Sequence, residues 1–174
     1  MNKKLSKILI DKTTIDSEVE RLAAEINRDY EGEEVLLVGL LKGCFVFMSD
    51  LMRSLSVSCS VDFMIVSSYG SGTESSGKVN IIRDLSEDIK GRNVLIVEDI
   101  VDSGITLDCV MDILRERKPA SLKLCSFLSK PSRRQRDIKI DYCGIEIEDE
   151  FVVGYGLDYA EKYRELPFVG VLAD

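Results

Sequence analysis

The stretch that decides the fold reads VLIVEDIVDSGITL and occupies residues 94–107. It starts with an apolar run, 94–97, of the kind found in strands that are buried on both faces. Glu98 and Asp99 follow directly, and the turn at 102–106 then opens a helical pattern. A strand that leads through a turn into a helix predicts an α/β sheet with a ligand site at the carboxyl ends of its strands.

The same alternation of apolar runs and helical patterns extends over the rest of the chain. Further strands are predicted at 35–40, 61–67, 122–128 and 169–172. A first helix is predicted from the apolar face between Ile15 and Ile26, with a capping box formed by Thr13 and Asp16. A second helix is predicted at 45–55 and a third at about 105–118, the latter with a stripe of Thr106, Val110, Ile113 and Leu114. This pattern favours one domain, residues 1–174, with a mostly parallel sheet flanked by helices.

Composition narrows the classes of protein to consider. The chain has 174 residues and a net charge of -8, which argues against nucleic-acid binding because phosphate backbones are held by surplus Lys and Arg. No apolar run approaches the roughly 20 residues that span a bilayer, and no signal peptide is evident, so no membrane partner is expected. The five widely spaced cysteines and the absence of histidine argue against a zinc site and favour reduced thiols in a cytoplasmic protein.

The turn after the acid pair has the residue types of a phosphate site. A helix N-terminus offers unpaired N–H groups, Gly104 permits close approach of the backbone, and Ser103 and Thr106 add hydroxyl donors. The spacing is not that of a Walker loop. An isolated turn of this kind is more often a helix cap beside solvated acids. Two acids straight after an apolar strand favour instead a site for a phosphorylated sugar, with carboxylates for its cis-diol or for magnesium.

Residues 69–78, which read YGSGTESSGK, break the alternation of strands and helices. The segment is rich in Gly and Ser, poor in apolar residues and too long for a tight turn. It is either a floppy hairpin loop or a lid that closes over a site to exclude water. Composition alone leaves both interpretations open.

The segment 94–107 is one of five motifs that occur in order between about residue 8 and residue 172. The others are Leu41-Lys42-Gly43, Ser68-Tyr69, Lys130, and the stretch FVVGYGLDY at 151–159 followed by Arg164. Together they resemble the type I phosphoribosyltransferases, in the version found in the hypoxanthine-guanine branch of that family. The segment 94–107 resembles the family's loop for phosphoribosyl pyrophosphate and is specific to phosphoribosyltransferases, whereas the whole set is specific to enzymes that act on 6-oxopurines.

The resemblance implies a fold, a reaction and a cofactor. The fold would be a mostly parallel α/β sheet with a small hood built from the N- and C-terminal segments. The reaction would transfer the 5-phosphoribosyl group from phosphoribosyl pyrophosphate to hypoxanthine or guanine and release pyrophosphate, with Mg²⁺ as cofactor. The family's habit is to form homodimers or homotetramers, and its partners are these small-molecule substrates.

The resemblance also assigns residues to the donor. The expected contacts to the 5-phosphate are Ser103, Gly104, Ile105 and Thr106, and the ribose hydroxyls would be bound by Glu98 and Asp99. The pyrophosphate would be bound by Lys42, Gly43 and Arg164. The expected magnesium ligands are Glu98, Asp99 and Asp158, although a lone acid such as Asp158 is more often plain surface. The family often carries lysine at the position of Ile105, so this chain departs from the pattern there.

For the base, the resemblance points to Lys130, Phe151, Val152 and Asp158. Lys130 would donate to the exocyclic O6 and Phe151 would stack on the purine, against the alternatives of a surface lysine and a core aromatic. Asp102 is the candidate catalytic residue at the purine N7, either transferring a proton or only orienting the base. Ser68 and Tyr69 would begin the lid.

Two further points stay open at this stage. The arginines at 133, 134 and 136 resemble a phosphate patch, but a solvated loop or a subunit contact is the favoured interpretation. As alternative functions, a protein with this loop could bind the donor and regulate transcription without catalysis, or could act on another base such as xanthine or a pyrimidine. A regulator of that kind would need a basic face, which this acidic chain lacks.

Overall fold

A computed structural model of the protein describes residues 4–68 and 79–173. The larger of its two sheets contains these strands: β2 (Glu34–Leu40), β3 (Ser58–Ser68), β4 (Val79–Arg83), β5 (Asn93–Val101), β6 (Ser121–Ser129) and β7 (Tyr142–Glu146). All the strands predicted from apolar runs are present, and most of them extend beyond the predicted ends.

The strands of the larger sheet lie in the order β4-β3-β2-β5-β6-β7, and all neighbours are parallel except β3 and β4. The chain passes from β2 outward to β3 and β4, then returns to place β5 on the other side of β2. The boundary between β2 and β5 is therefore the point at which the strand order reverses, where open α/β sheets bind their ligands. β2 leads directly into Leu41 and Lys42 at this point, and β5 leads into the turn at 102–106.

Three helices within the described ranges cover both faces of this sheet: α1 (Lys12–Asp29), α2 (Phe45–Ser54) and α3 (Ile105–Glu116). On one face, α1 and α2 pack with Leu37, Leu95 and Val97 in one buried cluster. On the other face, α3 packs with Val38 and Ile96 in a second cluster. The alternation of side chains along β2 and β5 thus supplies both cores, as expected for strands that are buried on both faces.

The prediction of a capping box for α1 was wrong. The helix begins at Lys12, and Asp11 is its N-cap, with a side-chain oxygen that accepts a hydrogen bond from the Thr14 N–H at 2.8 Å. Thr13 and Asp16 lie within the first turns of the helix and are too late to cap it.

The predicted stripe of α3 was half right. Its buried residues are Leu107, Val110, Met111 and Leu114, whereas Thr106 and Ile113 are only partly buried. The first turn of α3 faces the carboxyl edge of the sheet, and Thr106 there lines a cavity instead of the core.

A second sheet joins the two ends of the chain. Its strands are β1 (Leu5–Ile10), β8 (Val152–Val153) and β9 (Val169–Leu172), in the antiparallel order β1-β9-β8. This sheet is the expected hood. It packs into the same core as α1 and α2, and β8 holds Val152 and the preceding Phe151 at the carboxyl edge of the larger sheet.

No helix in residues 4–68 and 79–173 is long and apolar enough to cross a membrane. The five cysteines all lie in these ranges, and none of them forms a disulfide. Burial is the largest cause that raises the pKa of the thiols of Cys44 and Cys125, so both remain protonated at neutral pH.

Candidate active site

The loop after β2 is fixed by a close approach to β5. A Cβ atom at Gly43 would overlap the Asp99 carboxylate, so glycine is required there. A Cβ atom at Gly156, which has a φ of 99°, would in turn overlap the carbonyl oxygen of Gly43. The loop is therefore held between the central strand β5 and the C-terminal stretch. The peptide bond between Leu41 and Lys42 is cis.

The acid pair lies within β5, which continues to Val101, and not beyond its end as predicted. Successive side chains of a strand point to opposite faces, and the two acids accordingly line different cavities. Glu98 is 9% exposed, and its Oε1 has no hydrogen-bond partner within residues 4–68 and 79–173. Desolvation and the neighbouring Asp99 carboxyl raise the pKa of Glu98 well above its ordinary value. Desolvation likewise raises the pKa of Asp99 to about 6.

The turn after β5 presents backbone groups to a cavity of about 290 Å³. Gly104, with a φ of 79°, is the N-cap of α3 and makes no side-chain cap hydrogen bond. The Ile105 N–H donates a long hydrogen bond, 3.4 Å, to Ser103 Oγ. The start of α3 borders the cavity, which is lined by Glu98, Asp102, Ser103, Gly104 and Thr106 together with Lys42 and Gly43. Such a helix N-terminus suits a phosphate group.

A second cavity of about 590 Å³ adjoins the first and shares Lys42, Gly43, Ile100 and Asp102 with it. Its other lining residues include most of those predicted for the base and the pyrophosphate, namely Asp99, Lys130, Phe151, Val152, Asp158 and Arg164. The two cavities together bring the carboxyl ends of β2, β5 and β6 and the start of the hood around one cleft.

Four charged residues alternate along one wall of the second cavity. Asp149 lies between two cations, with Oδ1 3.8 Å from Lys130 Nζ and Oδ2 3.5 Å from Arg133 Nη1. Arg133 Nε donates to Asp102 Oδ1 at 3.2 Å. The hydrogen bond to Asp102 is the main cause that raises the pKa of Arg133. We call Lys130, Asp149, Arg133 and Asp102 the charged wall.

Three residues that line the second cavity can now be compared with their interpretation from the sequence. Lys130 is 7% exposed, so it is not a surface lysine. Phe151 is 56% exposed and contacts the ring of Tyr159 edge to face, so it is not a core aromatic. Arg133 is 51% exposed, as expected of a solvated loop, and it also lines the cavity and pairs with Asp102.

The other two arginines of the patch lie elsewhere. Arg134 Nη2 donates to Ser129 Oγ at 2.8 Å, and its buried Nη1 has no partner. Arg136 lies 4.0 Å from Asp108 on α3. These two do not line either cavity of the cleft.

A second set of charges surrounds Arg164. Its guanidinium donates to the carbonyl oxygen of Gly156 at 2.7 Å and pairs with Asp158 at 2.9 Å. Glu161 Oε1 lies 3.5 Å from Arg164 Nη2, and Glu161 Oε2 accepts from Lys42 Nζ at 2.8 Å. The other oxygen of Asp158 accepts from the Glu161 N–H at 2.8 Å. The side chains of Lys42 and Arg164, two of the residues predicted to bind pyrophosphate, are therefore already paired with Glu161 and Asp158.

Some predicted residues stand apart from this arrangement. Ile105 begins α3 but lines neither cavity. Ser68 ends β3, and Tyr69 with the rest of the predicted lid lies outside the described residues. Sequence reasoning missed Asp149 and Glu161, for which the one available signal was their position beside Phe151 and between Asp158 and Arg164.

Comparison with known proteins decides the family. The family model for the phosphoribosyl transferase domain matches residues 9–160. The chain belongs to the phosphoribosyltransferase family. The match confirms the resemblance found in the sequence, and it contains every predicted site residue except Arg164.

Individual phosphoribosyltransferases are similar over nearly the whole length. The chain is 48% identical to the hypoxanthine-guanine phosphoribosyltransferase of Bacillus subtilis, covering 99% of this chain and 96% of that one. It is 51% identical to the hypoxanthine phosphoribosyltransferase of Salmonella typhimurium, covering 94% and 93%. A crystal structure of a hypoxanthine phosphoribosyltransferase from Staphylococcus aureus is 47% identical and superposes with a TM-score of 0.95, covering 97% and 92%.

Proposed function

We propose that the protein transfers the 5-phosphoribosyl group from phosphoribosyl pyrophosphate to hypoxanthine or guanine, giving the mononucleotide and pyrophosphate. The observation that carries this proposal is the pair of adjoining cavities that share Lys42, Gly43, Ile100 and Asp102. A ribose that bridges them has its 5-phosphate at the turn of α3 and its C1 between a base and a pyrophosphate. The names of the similar enzymes from Bacillus subtilis and Salmonella typhimurium agree with it.

The donor fits the first cavity through backbone groups and one buried acid. The 5-phosphate is bound by the amides of the first turn of α3 and by the hydroxyls of Ser103 and Thr106. Glu98 Oε1, which is buried without a partner, accepts a ribose hydroxyl and so removes the cost of an unpaired polar atom. Bound Mg²⁺ would favour the ionised form of the carboxyl, whose negative charge stabilises the positive charge that develops on ribose as the bond to pyrophosphate breaks.

The base fits the second cavity between Phe151 and the charged wall. Phe151 stacks on the purine, because its ring is exposed to the cavity. Lys130 Nζ donates to O6, which excludes a base with an amino group at that position. Asp102 lies at the junction of the cavities and contacts N7, where Arg133 orients its carboxylate. The backbone of Val152 reads the remaining edge of the base.

Magnesium fits the chemistry of the cleft. Mg²⁺ prefers oxygen ligands, takes few protein carboxylates and is often held by substrate phosphates. Among the described residues there is no group of three or more acids, cysteines or histidines that could hold a metal ion. Both oxygens of Asp158 are engaged, whereas Glu98 retains an unpartnered oxygen. We therefore expect Glu98 and Asp99 to hold the ion, Asp158 to act through water, and the ion to neutralise the departing pyrophosphate.

Oligomerisation and compartment complete the proposal. Phe45 and Met52, both on α2, are 45% and 37% exposed, and a second copy of the chain would cover such apolar side chains. We propose a homodimer or homotetramer, which light scattering on the purified protein tests directly. The five cysteines all lie in the described ranges and are free thiols, which agrees with a cytoplasmic enzyme.

A base-competition assay tests the reaction. The purified protein is incubated with magnesium, phosphoribosyl pyrophosphate and equimolar hypoxanthine, guanine, xanthine, adenine and uracil. We expect the mononucleotides of hypoxanthine or guanine to form first, with stoichiometric pyrophosphate. Binding of the donor without turnover of any base would overturn the catalytic function. A product from adenine or uracil in preference to the 6-oxopurines would overturn the assignment of Lys130.

A further inference from the structure

The exposed carboxylate of Glu161 bridges two cations at the edge of the second cavity. Its Oε2 is 2.8 Å from Lys42 Nζ and its Oε1 is 3.5 Å from Arg164 Nη2. Lys42 and Arg164 both line the second cavity, and both belong to the residues predicted to bind pyrophosphate, Lys42 through its amide. One internal anion therefore joins the cations that an external anion would use.

Glu161 is a charged competitor and not a neutral neighbour. Its carboxylate forms ion pairs with Lys42 Nζ at 2.8 Å and with Arg164 Nη2 at 3.5 Å. A carboxylate and a phosphoryl group use the same acceptor geometry towards ammonium and guanidinium donors, so they compete directly for Lys42 and Arg164.

The backbone of the turn that carries Glu161 is constrained, whereas its side chain is 65% exposed and has room to rotate. Ala160, Glu161 and Tyr163 have φ angles of 51°, 62° and 77°, in the left-handed region that residues other than glycine rarely adopt. The turn is closed by paired backbone hydrogen bonds between Tyr159 and Lys162, and by the Glu161 N–H that donates to Asp158. Strained turns of this kind persist where the surrounding structure fixes them, and they cluster at ligand-binding sites.

We infer that Glu161 is an internal competitor of pyrophosphate, which occupies Lys42 and Arg164 in the empty enzyme and must leave them before the leaving group binds. The inference rests on the proposed function. Glu161 weakens the binding of pyrophosphate and returns to the cations when the product departs, so it speeds product release. A purely structural role, in which Glu161 positions Arg164, has the opposite sign because its loss would weaken pyrophosphate binding.

The test is the variant Glu161→Gln, which removes the charge and keeps the size of the side chain. Isothermal titration calorimetry with magnesium pyrophosphate is expected to give an affinity about three- to tenfold higher than that of the wild-type protein, the range for two exposed ion pairs. Steady-state kinetics should show a lower KM for phosphoribosyl pyrophosphate together with a lower kcat, because pyrophosphate leaves more slowly.

The matched control is Glu165→Gln, which makes the same charge change next to Arg164. Glu165 lines a neighbouring cavity with Phe45 and Tyr155 and, unlike Glu161, forms no ion pair with Lys42 or Arg164 in the described residues. The pyrophosphate affinity of this variant should stay within about twofold of wild type, because Glu165 does not compete for either cation. Unchanged or weaker binding by Glu161→Gln overturns the inference, and so does an equal gain in both variants. If the wild-type protein binds neither pyrophosphate nor the donor, the proposed function itself fails.

Discussion

The two halves of the cleft bind charge in different ways. The turn of α3 presents backbone amides, its N-cap Gly104 makes no side-chain cap hydrogen bond, and its apolar Ile105 lines neither cavity. The second cavity is surrounded by charged side chains that are already paired with one another, both along the charged wall and around Arg164. The turn of α3 is preformed for binding, whereas the charged side chains of the second cavity must exchange their present partners for those of a ligand.

Because of this difference, donor affinity and turnover should depend on different parts of the cleft. Backbone amides at a helix N-terminus need no rearrangement to bind a phosphate, so that half can anchor the donor before anything else happens. In the other half, a base or a pyrophosphate binds by replacing an internal ion pair, and the net gain is smaller than the contacts suggest. Substitutions along the charged wall should therefore change turnover and specificity, whereas substitutions at the turn should mainly change donor affinity.

The largest expected effect comes from Asp102→Asn, at the junction of the two halves. We expect kcat to fall by about 10²- to 10³-fold, because the amide cannot accept a proton at N7 and Arg133 loses its ionic partner. The KM for the donor should change less than about threefold, because the amides of the turn are intact. The measurement is steady-state kinetics at saturating base.

The control for this prediction is Asp112→Asn, which removes an acid on the exposed part of α3 that pairs with Arg115. It should leave both kinetic constants near wild type. Equal losses of kcat and donor affinity in Asp102→Asn would mean that Asp102 only positions the substrates.

The next effect is expected from Lys130→Met, which breaks the charged wall at its buried end. The value of kcat/KM for hypoxanthine should fall about 100-fold, because O6 loses its donor and Asp149 loses a partner. Adenine should lose far less, so the preference for the 6-oxo group collapses. Lys139→Met, at a lysine whose side chain is 85% exposed, is the control. Unchanged selectivity would place Lys130 outside the base site.

A stability measurement probes Glu98, the buried acid that lines the first cavity. Because burial raises the pKa of Glu98 in the folded state, the folded protein binds more protons than the unfolded chain above the ordinary pKa of this group. Its free energy of unfolding therefore falls as pH rises from about 4.5, at most by about 1.4 kcal/mol per pH unit for one group. Glu98→Gln removes this pH-dependent contribution to the free energy of unfolding, and it also impairs catalysis.

The expected result is a Tm of the empty variant that exceeds wild type by a margin that grows as the pH rises above about 4.5, at about 2–4 °C per kcal/mol. Scanning calorimetry of both proteins across this range makes the measurement. A Tm difference that is independent of pH would mean that Glu98 is not protonated in the folded state.

The smallest effect is expected from Ile105→Lys, which adds a cation to the half that lacks one. The KM for phosphoribosyl pyrophosphate should fall about two- to fivefold at low salt, and the gain should disappear at high salt. The value of kcat should not change, because Ile105 lines neither cavity. Ile105→Met is the uncharged control. A large change in kcat would show that the turn takes part in more than binding.

The strands and the order of the motifs could be predicted because they depend on local patterns. Apolar runs and the turn at 102–106 specify β5 and α3 without reference to the rest of the chain. The cap of α1 was assigned wrongly because Asp11, Thr13 and Asp16 all have capping side chains, and the choice depends on where the chain leaves β1. The hood was predicted from the family resemblance alone.

Side-chain pairs across the cleft could not be predicted. Arg133 comes within reach of Asp102 only because the turn at Pro131–Arg133 follows β6, which lies beside β5. Glu161 meets Lys42, 119 residues away, only when the C-terminal stretch packs on the loop after β2. Their residue types are common on protein surfaces, so nothing local distinguishes them from solvated charges.

The position of β9 in the middle of the hood has a consequence for synthesis of the protein. β1 and β8 both pair with β9 and not with each other. The larger sheet, with its phosphate turn, can form while the chain is still being translated, because its strands precede β8. The base side of the cleft has no hood until β9 is released. In a nascent chain the phosphate turn should therefore form before the base side of the cleft is complete.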